Sequence, residues 1–354
     1  MSRMYTPGEI RLRRLIGSIF WSIIILMTAI HMVSTYREKE TLKDSGYVQL
    51  VDVGKHKLNV SVFGNENGKH RIVAISGLKD GDFTISATRL IDELDDDCQL
   101  IFIDRAGYGL SEDSFQMHTA ADVVAEYQRA LEQVGIGGPY VLLAEHYGGV
   151  YATYWESCYP NEIEAVVFID GTEMHESEEE SRKADQTPYI WDGVLSFLAR
   201  IGASKFLQSS EYQVYPSTYS LTEKSIGKSL TTYTLDSLSP VLEEYKQWDN
   251  IELTHASVRR NEVPKLYITS DEDWRHKAPT PSADGTGQEF GDVVRLTVKD
   301  PNDTLTPYLD QMGNCRLTFL GGIGHLYENR PTECAKIIKS FLSNLDHYKK
   351  ISVN

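Results

Sequence analysis

What this chain is short of sets the first limits. It has four cysteines, and Cys98, Cys158, Cys315 and Cys334 stand far apart with no C-x-x-C spacing. Neither a cysteine zinc site nor a small disulfide framework is expected from them; they read as buried free thiols, packing as small apolar side chains. Positive charge is scarce as well: 35 Lys and Arg against 51 Asp and Glu give a net charge of −16. An acidic surface repels a phosphate backbone, which removes nucleic acid from the expected partners. No internal repeat is visible. Apolar content of 41% and charged content of 24% are ordinary, so a full hydrophobic core is expected.

One stretch lacks charge altogether. From Leu15 to Val33, LIGSIFWSIIILMTAIHMV contains no Asp, Glu, Lys or Arg, and at about 1.5 Å per residue it nearly spans a hydrocarbon core. We read residues 15–33 as an uncleaved transmembrane anchor and the lipid bilayer as its partner. The run is longer than a signal-peptide core, no A-x-A-like site follows it, and the next segment is charged. Arg3, Arg11, Arg13 and Arg14 precede it, against Arg37, Lys39 and Lys43 after it. That bias places the tail 1–14 in the cytoplasm and the rest of the chain outside. A polar linker is expected over Ser34–Gly46, a globular domain over 47–348 and a short tail over 349–354.

Within that domain, apolar runs alternate with amphipathic stretches, the pattern of a mostly parallel sheet covered on both faces. YVQLVDV and KLNVSVFG read as an antiparallel pair turning at Gly54 and Lys55. HRIVAISG, CQLIFIDR, YVLLAE, AVVFIDG, KLYITSD and RLTFLGG read as buried strands. Helices are expected over Ile85–Leu94, Thr119–Val134, Gly149–Cys158 and Pro331–Leu345. Between about residues 171 and 263 the strand rhythm stops. An insertion there is expected to form a helical cap over the strand ends where ligands bind.

The stretch YVLLAEHYGGV, a buried strand running into paired glycines and then a helix, has the layout of a nucleophile elbow. Together with IFIDRAGYGLSED upstream and GGIGHLYENRPTECAKIIKSFL downstream, it resembles the α/β-hydrolase superfamily, in its serine esterase, lipase and peptidase-like branch. The resemblance runs from about Tyr47 to Leu345 and leaves the insertion poorly specified. It implies an eight-stranded, mostly parallel α/β-hydrolase sheet with a cap, and an ester, amide or similar small acyl ligand entering beneath that cap. No organic cofactor and no resident metal are implied. Carried over by position, the catalytic base falls on His325, the supporting acid on Asp273 with Asp271 as the alternative, and the oxyanion hole on the backbone N–H groups of Leu78 and Tyr147.

The departure lies at the elbow. The family pattern G-x-S-x-G reads Ala144-Glu145-His146-Tyr147-Gly148 here, so an imidazole stands where a hydroxyl would attack a carbonyl. Ser204 and Ser229 lie in the insertion, away from any strand-to-helix turn, and do not replace it. Three readings follow. The chain is a pseudoenzyme that keeps the pocket; or an enzyme using His325 and Asp273 as a general base, with His146 polarising substrate or water; or a metal site built from His146, His325 and a carboxylate. Glu145 reads as filling a variable elbow position, and Asp104 as a turn-stabilising carboxylate.

Overall fold

The computed structural model describes residues 6–42, 47–171, 194, 198, 201, 215–270, 305–320 and 325–351. Eight strands form one sheet: β1 Leu50–Asp52, β2 Lys57–Gly64, β3 His70–Ile75, β4 Cys98–Ile103, β5 Tyr140–Glu145, β6 Ile163–Ile169, β7 Lys265–Ser270 and β8 Cys315–Leu320. Their order is β1-β2-β4-β3-β5-β6-β7-β8. β1 and β2 pair antiparallel, as does β2 with β4, and the remaining pairs are parallel. All eight expected strands are present.

The sheet separates two cores, and its period-two alternation decides which side chain enters which. On β5, Leu142 and Ala144 enter one core while Val141 and Leu143 enter the other. On β6, Val166 and Phe168 oppose Ala165, Val167 and Ile169 in the same manner. The first core is closed by Val123, Tyr127, Tyr151 and Trp155, carried on the helices Ala120–Gln133 and Gly148–Cys158. The second is closed by Leu90, Leu94, Ile338 and Phe341, from Thr88–Leu94 and Pro331–Ser343. Ala120–Gln133 begins with a capping box in which Thr119 and Asp122 each take the other's backbone N–H, a motif worth about 1 kcal/mol. Of the cysteines, Cys98 and Cys334 are buried and Cys315 is half-buried, but Cys158 is exposed, contrary to expectation.

Two further local readings change. The expected helix over Ile85–Leu94 is broken at Ala87 into Phe83–Ser86 and Thr88–Leu94, where the hydroxyls of Ser86 and Thr88 bond back to the carbonyls of Phe83 and Ile85. The expected linker after Val33 is largely helix: a single helix, α1, runs from Pro7 to Leu42. Arg37-Glu38-Lys39-Glu40 consists of good helix formers, and no Gly or Pro interrupts the run before Gly46. By length and composition α1 is the one helix among the described residues able to cross a membrane, and its apolar window is 6% buried. Its far end is docked on the domain. His31 Nε2 lies 2.6 Å from Asp236 Oδ2, Tyr233 donates its hydroxyl to Glu38 at 3.0 Å, and Leu42 packs with Leu230 and Tyr233.

Between β6 and β7, the described residues form three helices, Leu221–Asp236, Ser239–Tyr245 and Gln247–Ser257. They are tied to loops that follow the carboxyl ends of β3, β4 and β5. Tyr215 and Tyr219 donate to Asp82 and to the Ser86 carbonyl. Thr234 accepts the Gly109 N–H, and Gln247 accepts the Tyr147 hydroxyl. The strongest tie is an ion pair: Arg105 Nε lies 2.7 Å from Glu243, with both side chains buried, while Arg105 also donates to the carbonyls of Ser76 and Gly77.

Candidate active site

The chain leaves β5 at Glu145, turns at His146 with φ +42°, and enters the next helix at Gly148. A non-glycine residue in this region costs about 1–3 kcal/mol and persists where the surroundings impose it. They do so here. His146 donates its backbone N–H to Ile169, and Gly148 lies so close to β3 that an added Cβ would stand 2.3 Å from the Ile75 carbonyl oxygen. The sharp strand-to-helix turn is therefore intact despite Ala144, which is fully buried.

The ring of His146 is held from two sides. Nδ1 lies 2.8 Å from the carbonyl oxygen of Asp170, an acceptor only, so this nitrogen carries the proton and donates. Nε2 faces Glu145 Oε1 at 3.1 Å. His325 stands opposite, its ring centroid 5.6 Å from that of His146 and nearly perpendicular to it. Its Nδ1 lies 3.4 Å from the same Glu145 oxygen and 3.3 Å from the Tyr327 hydroxyl. The carboxylate of Glu145 raises the His325 pKa above its ordinary value, and burial opposes that shift.

Glu145, read from the sequence as filling a variable position, is instead the centre of the site. Its side chain is 2% exposed. Oε2 accepts the backbone N–H of Gly77 at 2.9 Å. Oε1 is buried and, among the described residues, receives no hydrogen bond of acceptable geometry although both imidazoles face it. Other carboxylates surround it. Burial drives the Asp80 pKa well upward, reinforced by Glu145 and Asp82. Burial also lifts Glu328 to about 7, with His325 opposing and Asp82 and Glu145 adding to the rise. Asp82 itself accepts the Tyr215 hydroxyl. Two imidazoles thus meet a concentration of acid, buried at Glu145 and Asp82 and half-buried at Asp80 and Glu328, an environment suited to holding protons or a cation.

Of the expected site residues, His146 and His325 lie side by side, Tyr147 caps the helix that follows the turn, and Leu78 follows Gly77 in the loop after β3. Asp271 and Asp273 lie outside the described residues. Asp104 accepts the Leu110 N–H and the Asn59 amide in a turn away from the two rings, and burial raises it to about 6. The sequence reading overlooked Asp80, Asp82 and Glu328. The available signal was that Glu145 sits at the end of an otherwise wholly apolar buried strand, where a carboxylate needs a partner.

A model of the α/β hydrolase fold matches residues 77–279. The chain is 32% identical over 140 residues to the uncharacterized protein YbdG of Bacillus subtilis (strain 168), covering 40% of this chain and 42% of YbdG. It is 27% identical over 161 residues to an uncharacterized protein of Schizosaccharomyces pombe, covering 42% of this chain and 30% of that protein. The alignments thus span less than half the length of these curated relatives. Haloalkane dehalogenase DbeA from Bradyrhizobium elkani USDA94 superimposes with a TM-score of 0.57 at 13% identity, over 84% of this chain and 98% of DbeA. A structure from a study of carboxylesterases of the thaumarchaeon Nitrososphaera gargenis gives 0.54 at 13% identity, over 84% and 99%. At such identities the likeness concerns the fold alone.

Proposed function

The chain belongs to the α/β-hydrolase fold family, and from that premise we propose that it is a membrane-anchored member that retains a ligand pocket but has given up acyl-enzyme chemistry. The observation carrying this reading is the state of the elbow. The ring at the nucleophile position is fixed by Asp170 on one side and faces Glu145 on the other. The elbow residues 144–149 hold no serine, threonine or cysteine, and their one hydroxyl, the Tyr147 phenol, is turned away to donate to the Gln247 carbonyl. The Gly77 N–H next to the expected oxyanion loop is already taken by a carboxylate, whose charge opposes an incoming oxyanion.

The helices between β6 and β7 act in this reading as a cap, supported by their bonds to the loops at the carboxyl ends of β3, β4 and β5. The ligand beneath them is a small acyl-type compound, and α1 is the bilayer anchor, with the domain outside the cytoplasm. Leu78 and Tyr147 remain the candidate oxyanion donors, and Asp273 or Asp271 the candidate acid. A second reading, general acid–base catalysis by His325, is favoured by one observation: Glu145 faces its Nδ1 at 3.4 Å and supplies a carboxylate partner.

A serine-directed fluorophosphonate decides between acyl-enzyme chemistry and its loss. Incubated with the purified full chain and read by mass spectrometry, it should leave every residue of the elbow and cap unlabelled; a labelled serine sinks the proposal. Hydrolysis of a short activated ester that disappears in His325→Ala selects the second reading over simple ligand binding.

A further inference from the structure

We infer that Glu145, His146 and His325 form a binding site for one divalent transition-metal ion of the zinc class, with a coordination position left open toward the pocket. This rests on the reading that the elbow has lost its acyl-enzyme role, and it assigns that elbow a ligand.

The spacing fits. Ligand atoms about 2.0–2.2 Å from a tetrahedral zinc stand roughly 3.3–3.5 Å from one another. Here Glu145 Oε1 lies 3.1 Å from His146 Nε2 and 3.4 Å from His325 Nδ1, and all three atoms lie within 4.8 Å of one another. Glu145 Oε1 is buried between the two ring nitrogens as an ion-pair partner of each; a shared cation would bind the oxygen and both rings at once.

The groups behind the ligands are those a metal site requires. A ligating histidine ordinarily donates its other ring N–H to a carbonyl or carboxylate, which fixes the tautomer that leaves its lone pair for the metal. His146 does so toward Asp170 at 2.8 Å. The second oxygen of Glu145 is oriented by the Gly77 N–H. The Tyr327 hydroxyl competes for His325 Nδ1 at 3.3 Å, but Ser86 Oγ at 3.3 Å offers it another partner. Glu145 is 2% exposed, whereas the side chains of His146 and His325 are 44% and 51% exposed. The site is closed from below and open above, as three-ligand sites with a water or substrate in the fourth position are. Such an ion brings the ionisation of its bound water near pH 7.

The test is cobalt(II) titration of the full chain in detergent after treatment with chelator, followed by visible absorption and elemental analysis. It uses a His118→Ala background, because His56, His118 and Glu126 form a separate cluster near the start of a helix. One equivalent of cobalt with the intense absorption of a low-coordinate site is expected. That signal should be lost in both Glu145→Gln and His146→Ala at unchanged circular dichroism. Absence of the one-equivalent signal, or its full persistence in both variants, overturns the proposal. Should Glu145→Gln fail to fold, the partly exposed His146 decides alone. Labelling of a serine by the fluorophosphonate would defeat the loss of acyl-enzyme chemistry and leave the cobalt spectrum unaffected, so the two failures are distinguishable.

Discussion

Gly77 donates its backbone N–H to Glu145 Oε2 at 2.9 Å, joining two residues 68 positions apart. The contact closes the loop after β3 onto the last residue of β5 and fixes the direction of a buried carboxylate. The close approach depends on the glycine, since a Cβ at position 77 would stand 2.6 Å from Glu145 Oε2.

Replacing that carboxylate by an amide should be felt first at His325. With chelator present, NMR titration of Glu145→Gln is expected to show the His325 pKa falling from its raised value. The sign also sets the stability effect. A histidine raised by its partner contributes stabilisation that is complete below the unfolded value of about 6.5 and is lost as pH rises through the folded value. An unchanged His325 titration would show that the two groups do not communicate.

The buried pair Arg105–Glu243 links the loop after β4 to the inserted helices. Arg105→Met strands a buried carboxylate and should cost about 3–5 kcal/mol in denaturant unfolding. The double variant Arg105→Met/Glu243→Leu should recover part of that loss. It should not recover all, because the Ser76 and Gly77 carbonyls also lose their donor. Strict additivity of the two single changes would refute the coupling.

Gly148→Ala should destabilise by about 1–3 kcal/mol or more, because the new methyl meets backbone rather than a movable side chain. Gly137→Ala, with nothing within 4 Å of its added carbon, should stay within about 0.5 kcal/mol of the parent. Similar melting temperatures for the two variants would argue against tight packing at the elbow.

Acid stability should pass through Glu126. Burial alone would raise this carboxyl, but His118 at 3.1 Å and His56 at 3.6 Å outweigh it and hold the pKa at about 2. Stabilisation from a depressed carboxyl is complete above its unfolded value of about 4.3 and disappears as pH falls through the folded value. Unfolding curves between pH 5 and pH 2 should therefore steepen with acid in the parent and flatten in Glu126→Gln; parallel profiles would count against the pairing.

The fold was readable because strands buried on two faces are continuous apolar runs, and the stretch Tyr140–Glu145 announces itself in that way. The turn of the elbow was readable because strand, glycines and helix follow one another in the chain. Glu145 was not. A carboxylate adjoining a turn looks like any variable residue until the loop of Gly77 and the ring of His325 are brought against it from distant parts of the chain. The same holds for Asp80 and Glu328, whose partial burial arises only in the fold. The continuation of the helix through the polar residues 34–42 was not read, although Glu and Lys favour a continuing helix.

That continuing helix behaves as a mast rather than a rope. Because His31 is latched to Asp236 and Glu38 to Tyr233, its direction is set by the helix it leans on, and any tilt imposed on its apolar length is passed straight to Leu221–Asp236.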